Sequence, residues 1–488
     1  MSAPCVSPRP NVVLICADQW RGDCLSIDRH PVVHTPYLDQ LALRGVRFGR
    51  AYSSCPSCIA ARAAIFTGLS PARHGRVGYQ DAVPWNYPVT LAGLFTDAGY
   101  QTQAVGKMHV YPERSQLGFQ NVILHDGFLH YGRRRDRDYG TVDDYTPWLR
   151  EQLGRDADYF EHGVNCNSVV ARPWDRDEYL HPTNWVTTQS IDFLRRRDPR
   201  KPFFLFLSYH RPHPPYDPPA WAFEMYRDRP MPPRPVGDWE AAFADHARPD
   251  DPECAVGPIR PDVLQRALAG YYGHMTHIDH QVNRFLELLQ DYRLHENTWV
   301  CFTSDHGELL GDHHFFRKSM PFEGSARVPM ILRGPRDAGL RAGAVCREVA
   351  ELRDVLPTLL DAAGLPAPEG LDGRSLLPLA RGEPSAWRSH IHGEHTALGQ
   401  SVQWLTDGRE KYAWYSGTGM EQLFDLEADP EEKRDLARVA THAARVRHWR
   451  DVLVSELAGR EEGFTDGARL IPGRPVRAVL SKVMSAST

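Results

Sequence analysis

The amino-acid sequence predicts an α/β protein: a large domain on a mostly parallel sheet, followed by a small C-terminal α+β subdomain. Three observations carry this expectation. Apolar runs at residues 12–16 (VVLIC), 202–207 (PFFLFL) and 298–303 (TWVCFT) show no polar alternation, as expected of strands covered on both faces. Through the first 110 residues such runs alternate with helical patterns, the order of a sheet crossed by helices. From about residue 389 the pattern changes to short alternating strands and one charged helix.

After the strand at 12–16, Thr35 can cap a helix that carries Leu38, Leu41 and Leu43 and ends near Gly45. Residues 58–66 (CIAARAAIF) are rich in helix formers and are stopped by Thr67-Gly68. A helix at 90–98 and a strand at 100–105 follow. Residues 111–180 are polar, aromatic and charged, with the run Arg133-Arg134-Arg135-Asp136-Arg137-Asp138. They are expected to form an insertion above the core, either a substrate-facing lid or a solvated loop. A helix at 185–194 leads to the strand at 202–207, and the proline-dense stretch 210–261 is expected to be irregular. Over 262–292, Leu264, Leu268, Tyr271, Met275, Ile278, Val282, Phe285 and Leu289 recur at steps of four and three, one core-facing side of a long helix. Residues 298–303 and 328–332 supply further strands and 352–363 a helix. Strands at 402–405, 411–415 and 422–426 and a helix at 441–457 complete the chain. These patterns divide it into a large domain over 1–388, with the insertion at 111–180, and a subdomain over 389–488.

The 488 residues are ample for one large core, and 42% hydrophobic with 24% charged residues is ordinary for an enzyme. A net charge of −5 gives no basic footprint, so nucleic acid is not an expected partner. No apolar run approaches the roughly 18–20 residues that span a bilayer. The first ten residues lack a hydrophobic targeting core, and the nine scattered cysteines suit buried thiols better than a disulfide framework. The expected compartment is the cytoplasm.

Two apolar strands run into acidic motifs, Asp18-Gln19 and Asp305-His306-Gly307. Ligands gather at the carboxyl ends of parallel strands, and carboxylates meeting there repel unless a cation lies between them. Each Asp alone reads first as a helix cap or turn residue, and two at matching strand ends shift the reading toward a metal. Cys58 opens a helix with Arg62 four residues on, so thiol and guanidinium share a face at a helix N-terminus, a place suited to an anionic ester. Cys55-x-x-Cys58 also has the spacing of a redox pair or half a zinc site, but no second CxxC accompanies it.

These residues resemble the signature of the sulfatase family, within the alkaline-phosphatase-like superfamily. Cys58, Arg62, Thr67 and Gly68 match its Cys/Ser-x-Pro-x-Arg…Thr-Gly pattern, and Ala60 stands in place of the proline. The resemblance continues in order through Asp18-Gln19, Arg73-His74-Gly75, Gly106-Lys107-Met108-His109, Pro212-His213-Pro214, Ser304-Asp305-His306-Gly307 and Lys318. It implies a three-layer α/β/α sandwich with a large mixed, mostly parallel sheet. It also implies oxidation of Cys58 to formylglycine by a maturation enzyme, some bacterial versions of which tolerate alanine at position 60.

The implied metal ligands are Asp18, Gln19, Asp305 and His306 with position 58, holding one divalent ion, calcium first and manganese or magnesium next. Gln19 and His306 replace the Asp and Asn common in sulfatases, a variation shared with bacterial phosphonate monoester hydrolases. The implied reaction is hydrolysis of sulfate monoesters by a formylglycine gem-diol. Arg62, Lys107 and Lys318 would neutralise the sulfuryl oxygens, His213 would serve as leaving-group acid and His109 as base. Phosphonate monoester or phosphodiester hydrolysis is the alternative, and a silent binder of sulfated ligands is a further one. Lys107 and His109 favour sulfate. The organic part of a small-molecule or saccharide ester would face Tyr131, Tyr139, the Arg133–Arg137 run and Trp148; the 210–261 stretch and C-terminal tail are candidate homo-oligomer contacts. His392-Gly393-Glu394-His395 is expected near the substrate entrance, and Asp312 beside the site in support.

Overall fold

The computed structural model describes residues 9–127, 142–159 and 161–485. Among them fourteen strands occur: β1 (Asn11–Asp18), β2 (Val46–Phe48), β3 (Ala51–Tyr52), β4 (Gln101–Gly106), β5 (Asn121–Leu124), β6 (Phe203–Pro212), β7 (Thr298–Ser304), β8 (Met330–Arg333), β9 (Val345–Cys346), β10 (Ala350–Glu351), β11 (Ile391–Ala397), β12 (Gln400–Thr406), β13 (Glu410–Tyr415) and β14 (Glu421–Asp425). Eight form the main sheet in the order β5-β4-β6-β1-β7-β8-β2-β9. From β5 across to β7 every pair is parallel; β8 is antiparallel to both its neighbours.

Strand β1 explains the layering. Its side chains alternate, so Val13, Ile15 and Ala17 enter one core and Val12, Leu14 and Cys16 the other. The first core holds Met275, Ile278 and Val282 of the helix Pro261–Asp291, and the second holds helices Cys58–Thr67 and Val355–Ala362. Apolar residues on both faces are therefore required, and the sheet is the middle of three layers. Burial of its central strands is complete.

The structure corrects two expectations. The stretch 210–261 is not wholly irregular: Ala220–Arg227 is a helix with Pro219 at its N-cap, outside the turns where a missing N–H would matter. The insertion at 111–180 is partly core. It contributes the edge strand β5 and the helix Tyr145–Leu153, whose Trp148 lies 6.3 Å from Trp185, so Trp148 packs inward and does not face a substrate. The Arg133–Asp138 run, Tyr131 and Tyr139 lie outside the described residues.

Strands β11–β14 form an antiparallel sheet of their own. One face, with Trp404 and Phe424, packs on Tyr52, Trp239 and Phe322 of the large domain. The helix Ala443–Glu456 covers the other through Trp449 and Leu453. Buried Lys411 of β13 ties the two parts together, its Nζ 2.8 Å from both Glu323 and Glu432. Among the described residues no helix is long and apolar enough to cross a membrane.

Candidate active site

Parallel pairing of β1 with β7 sets Ala17 beside Ser304, so the next residues, Asp18 and Asp305, emerge together at the carboxyl edge. The helix Cys58–Thr67 points its N-terminus at them, with Ser57 as N-cap. Cys58 Sγ lies 3.6 Å from Asp18 Oδ1 and 3.2 Å from His306 Nε2. One ligand atom each from Asp18, Cys58, Asp305 and His306 fall within 4.8 Å of one another, and all four side chains are buried. His306 Nδ1 donates to the Gly307 carbonyl at 2.9 Å, which leaves the Nε2 lone pair to face the carboxylates. Two buried carboxylates, one imidazole nitrogen and position 58 on one centre fit a divalent cation.

Cations already surround the group. Lys107 pairs with Asp18 and reaches Cys58 Sγ at 3.5 Å; Lys318 Nζ is 2.8 Å from Gln19 Oε1 and 3.6 Å from Cys58 Sγ. Burial pushes the Asp18 carboxyl up, but Lys107 and its neighbours outweigh burial and hold it well below the usual carboxylate range. Burial and Asp18 likewise push the Cys58 thiol up, and Lys107, Lys318 and His306 together bring it below its ordinary value. Position 58 is thus built to carry negative charge.

Arg62 lies on the helical face of Cys58, as its spacing suggests, but its guanidinium reaches Asp305 behind the cavity wall. It is fully buried and does not line the cavity. Its Nε donates to Asp305 Oδ2 at 2.9 Å, and Nη1 donates to the Lys107 carbonyl at 2.6 Å and to Ser208 Oγ at 2.9 Å. It braces both Asp305 and the Lys107 loop. That loop depends on Gly106, at φ +97, where a Cβ would fall 2.0 Å from the Ser208 carbonyl oxygen. The same approach lets Lys107 N donate to that oxygen at 2.9 Å. Beyond the lysine, His109 is in the left-handed region at φ 56, and Asp126 Oδ1 accepts from the backbone N–H of Met108 and His109.

Three supporting residues escaped sequence reasoning. Nothing in sequence marks Asp126 or Ser208. Glu308 could have been suspected from its position just after Asp305-His306-Gly307; it accepts from Gln19 Nε2, and thereby turns Gln19 Oε1 toward Lys318 and the site. Glu308→Ala is expected to weaken divalent-cation binding by about 10- to 100-fold. Titrating calcium against the melting temperature measures this, and unchanged affinity would mean Lys318 alone orients the amide. Asp312 does support the loop, accepting from Arg21 Nη1 at 2.7 Å. Arg73 pairs with Asp372, away from the cavity.

A cavity of about 920 Å³ opens over Cys58. Lys107, His109, His213 and Lys318 line it, as do Tyr79, Tyr111, Phe315 and Phe316. His392 and His395 do not form a metal pair: three residues apart on a strand, they point to opposite faces. His392 hydrogen-bonds Gln403 at 2.8 Å, and His395 reaches the cavity wall.

The mixed sheet, the paired acidic strand ends and Cys58 at a helix N-terminus are the arrangement expected of a hydrolase of the alkaline-phosphatase-like superfamily. The Sulfatase family model matches residues 10–365, and that of the N-sulphoglucosamine sulphohydrolase C-terminal region matches 311–457. An arylsulfatase of Clostridium perfringens is 49% identical over 96% of this chain and 98% of its own. A multifunctional alkaline phosphatase superfamily protein of Trinickia caryophylli, PehA, is 31% identical over 90% and 94%. The crystal structure of a phosphonate monoester hydrolase of Agrobacterium radiobacter superposes with a TM-score of 0.74 at 27% identity, covering 92% of this chain and 95% of that one. The chain belongs to the sulfatase family, and it is a sulfuric ester hydrolase.

Proposed function

We propose that the protein hydrolyses aryl sulfates and related sulfate monoesters using a formylglycine made from Cys58. The observation that carries this reading is the convergence of Lys107, Lys318 and His306 on the Cys58 sulfur at 3.5, 3.6 and 3.2 Å. When present, formylglycine supplies an oxygen nucleophile, and a divalent ion, calcium before manganese or magnesium, supplies Lewis acidity. Asp18, Gln19, Asp305 and His306 would hold the ion together with position 58.

Lys107 and Lys318 compensate charge that develops on the sulfuryl oxygens. Arg62 acts one step back by orienting Asp305 and the Lys107 backbone. His213 Nδ1–H donates a hydrogen bond to the Pro214 carbonyl at 2.9 Å, so Nε2 is the nitrogen that takes up a proton and, in the imidazolium, passes it to the leaving oxygen. His109, elsewhere on the cavity lining, takes the proton whose loss releases sulfate. Tyr79, Tyr111, Phe315 and Phe316 give the cavity an aromatic lining that suits an aryl group.

Presence of Lys107 and His109 supports sulfate over phosphonate. With purified protein, kcat/KM for an aryl sulfate is expected to exceed that for the matching aryl phosphonate monoester; the reverse order would overturn the preference. The same reading takes 1–388 as catalytic domain and 389–488 as subdomain, and requires a maturation enzyme as transient partner. It assigns the protein to the cytoplasm, supported by the unpaired state of the eight described cysteines.

A further inference from the structure

Behind the cavity wall lies a chain of contacts that the mechanism above does not use. Arg211 is fully buried, and its Nε and Nη2 donate to the two oxygens of Asp217 at 2.9 and 3.0 Å. Asp217 is held in turn by His162 Nε2 at 3.2 Å. This bidentate pairing fixes the plane of the guanidinium. Its remaining nitrogen, Nη1, lies 2.5 Å from His210 Nδ1.

A guanidinium has donors and no acceptor, so His210 Nδ1 must present its lone pair and the ring proton must sit on Nε2. His213 is the opposite case, with Nδ1–H committed to a carbonyl and Nε2 free to gain and lose a proton. Both rings line the cavity, their centroids 5.1 Å apart and their planes tilted by 41°. A ring nitrogen of each also lies within 4.8 Å of an Asp18 oxygen. That trio has the look of a cation site, but the contact with Arg211 leaves His210 no lone pair to offer at Nε2.

Gly127 completes the arrangement. A Cβ there would fall 2.2, 2.3 and 2.6 Å from Nε2, Cδ2 and Cε1, nearly equal distances that place it over the ring face. Glycine lets the backbone approach that face while the ring still lines the cavity.

We propose that His210 is a second hydrogen-bond donor to the leaving oxygen of the ester, locked in one tautomer by Arg211, beside the proton-transferring His213. The inference rests on the sulfate-ester mechanism proposed above. Two donors on rings this close can share one oxygen, since each needs only about 2.9 Å. As the S–O bond breaks, charge grows on that oxygen, and the fixed donor strengthens without a proton transfer. Its contribution therefore rises with the basicity of the leaving group.

The test compares phenyl sulfate with 4-nitrophenyl sulfate on the matured protein. His210→Ala is expected to lower kcat/KM by about 10- to 100-fold for phenyl sulfate and by less than about threefold for the nitrophenyl ester. His210→Gln restores a side-chain N–H and is expected to recover most of the loss. Gly127→Ala, which pushes on the ring face, is expected to reproduce the leaving-group-selective defect, and it keeps the test open should His210→Ala fail to fold. Equal losses on both esters, or a folded Gln variant no better than Ala, would overturn the role of His210. A wild-type protein inactive on both would instead sink the mechanism itself, and this inference with it.

Discussion

Replacing Cys58 with alanine is expected to lower sulfate-ester turnover by about four orders of magnitude or more, the largest effect of any single change in the protein. Position 58 is where the helix N-terminus, two lysines and the paired carboxylates meet, and no neighbouring described side chain can substitute for it. Cys58→Ser is the sharper variant. A serine has one hydroxyl, so it can accept a sulfuryl group but cannot expel sulfate by collapse to an aldehyde. Its expected behaviour is at most a single stoichiometric release of phenol. Mass spectrometry of the peptide containing residue 58 gives the direct readout, an aldehyde in the wild type. An unmodified thiol in fully active protein would end the formylglycine mechanism.

The second large effect is expected at Arg62. Arg62→Met keeps much of the volume and removes the cation that faces Asp305 in a fully buried pair. An unpaired buried carboxylate of this kind costs about 3–5 kcal/mol. Ser208 and the Lys107 carbonyl lose their donor at the same time, so Lys107 loosens and activity falls with stability. A divalent ion in the site would offset part of the unpaired charge of Asp305. The drop in melting temperature is therefore expected to be larger with a chelator than with calcium. A variant that melts as the wild type does under both conditions would show that Asp305 does not need Arg62.

Much of this architecture was legible in sequence because it follows from local pattern. An unbroken apolar run rich in β-branched residues, such as 12–16, fits a strand covered on both sides, and the acid that follows it then arrives at the carboxyl end of the strand. The four-residue step from Cys58 to Arg62 likewise sets their common helical face. Edge strand β5 was missed because its four residues are half exposed and lack the apolar run of a central strand. The helix Ala220–Arg227 was hidden by the prolines that precede it, which lie outside its hydrogen-bonded turns.

Residue types, their order and the strand ends that carry Asp18 and Asp305 were determined by sequence alone, because periodicity and spacing are local properties. The partners of those residues were decided only by tertiary structure. Arg62 reaches across 243 positions to Asp305, and Gln19 across 289 to Glu308. The state of the His210 ring was decided in the same way, by Asp217 through Arg211. Such contacts depend on which strand lies beside which and on how deeply the groups are buried, and no spacing along the chain encodes either.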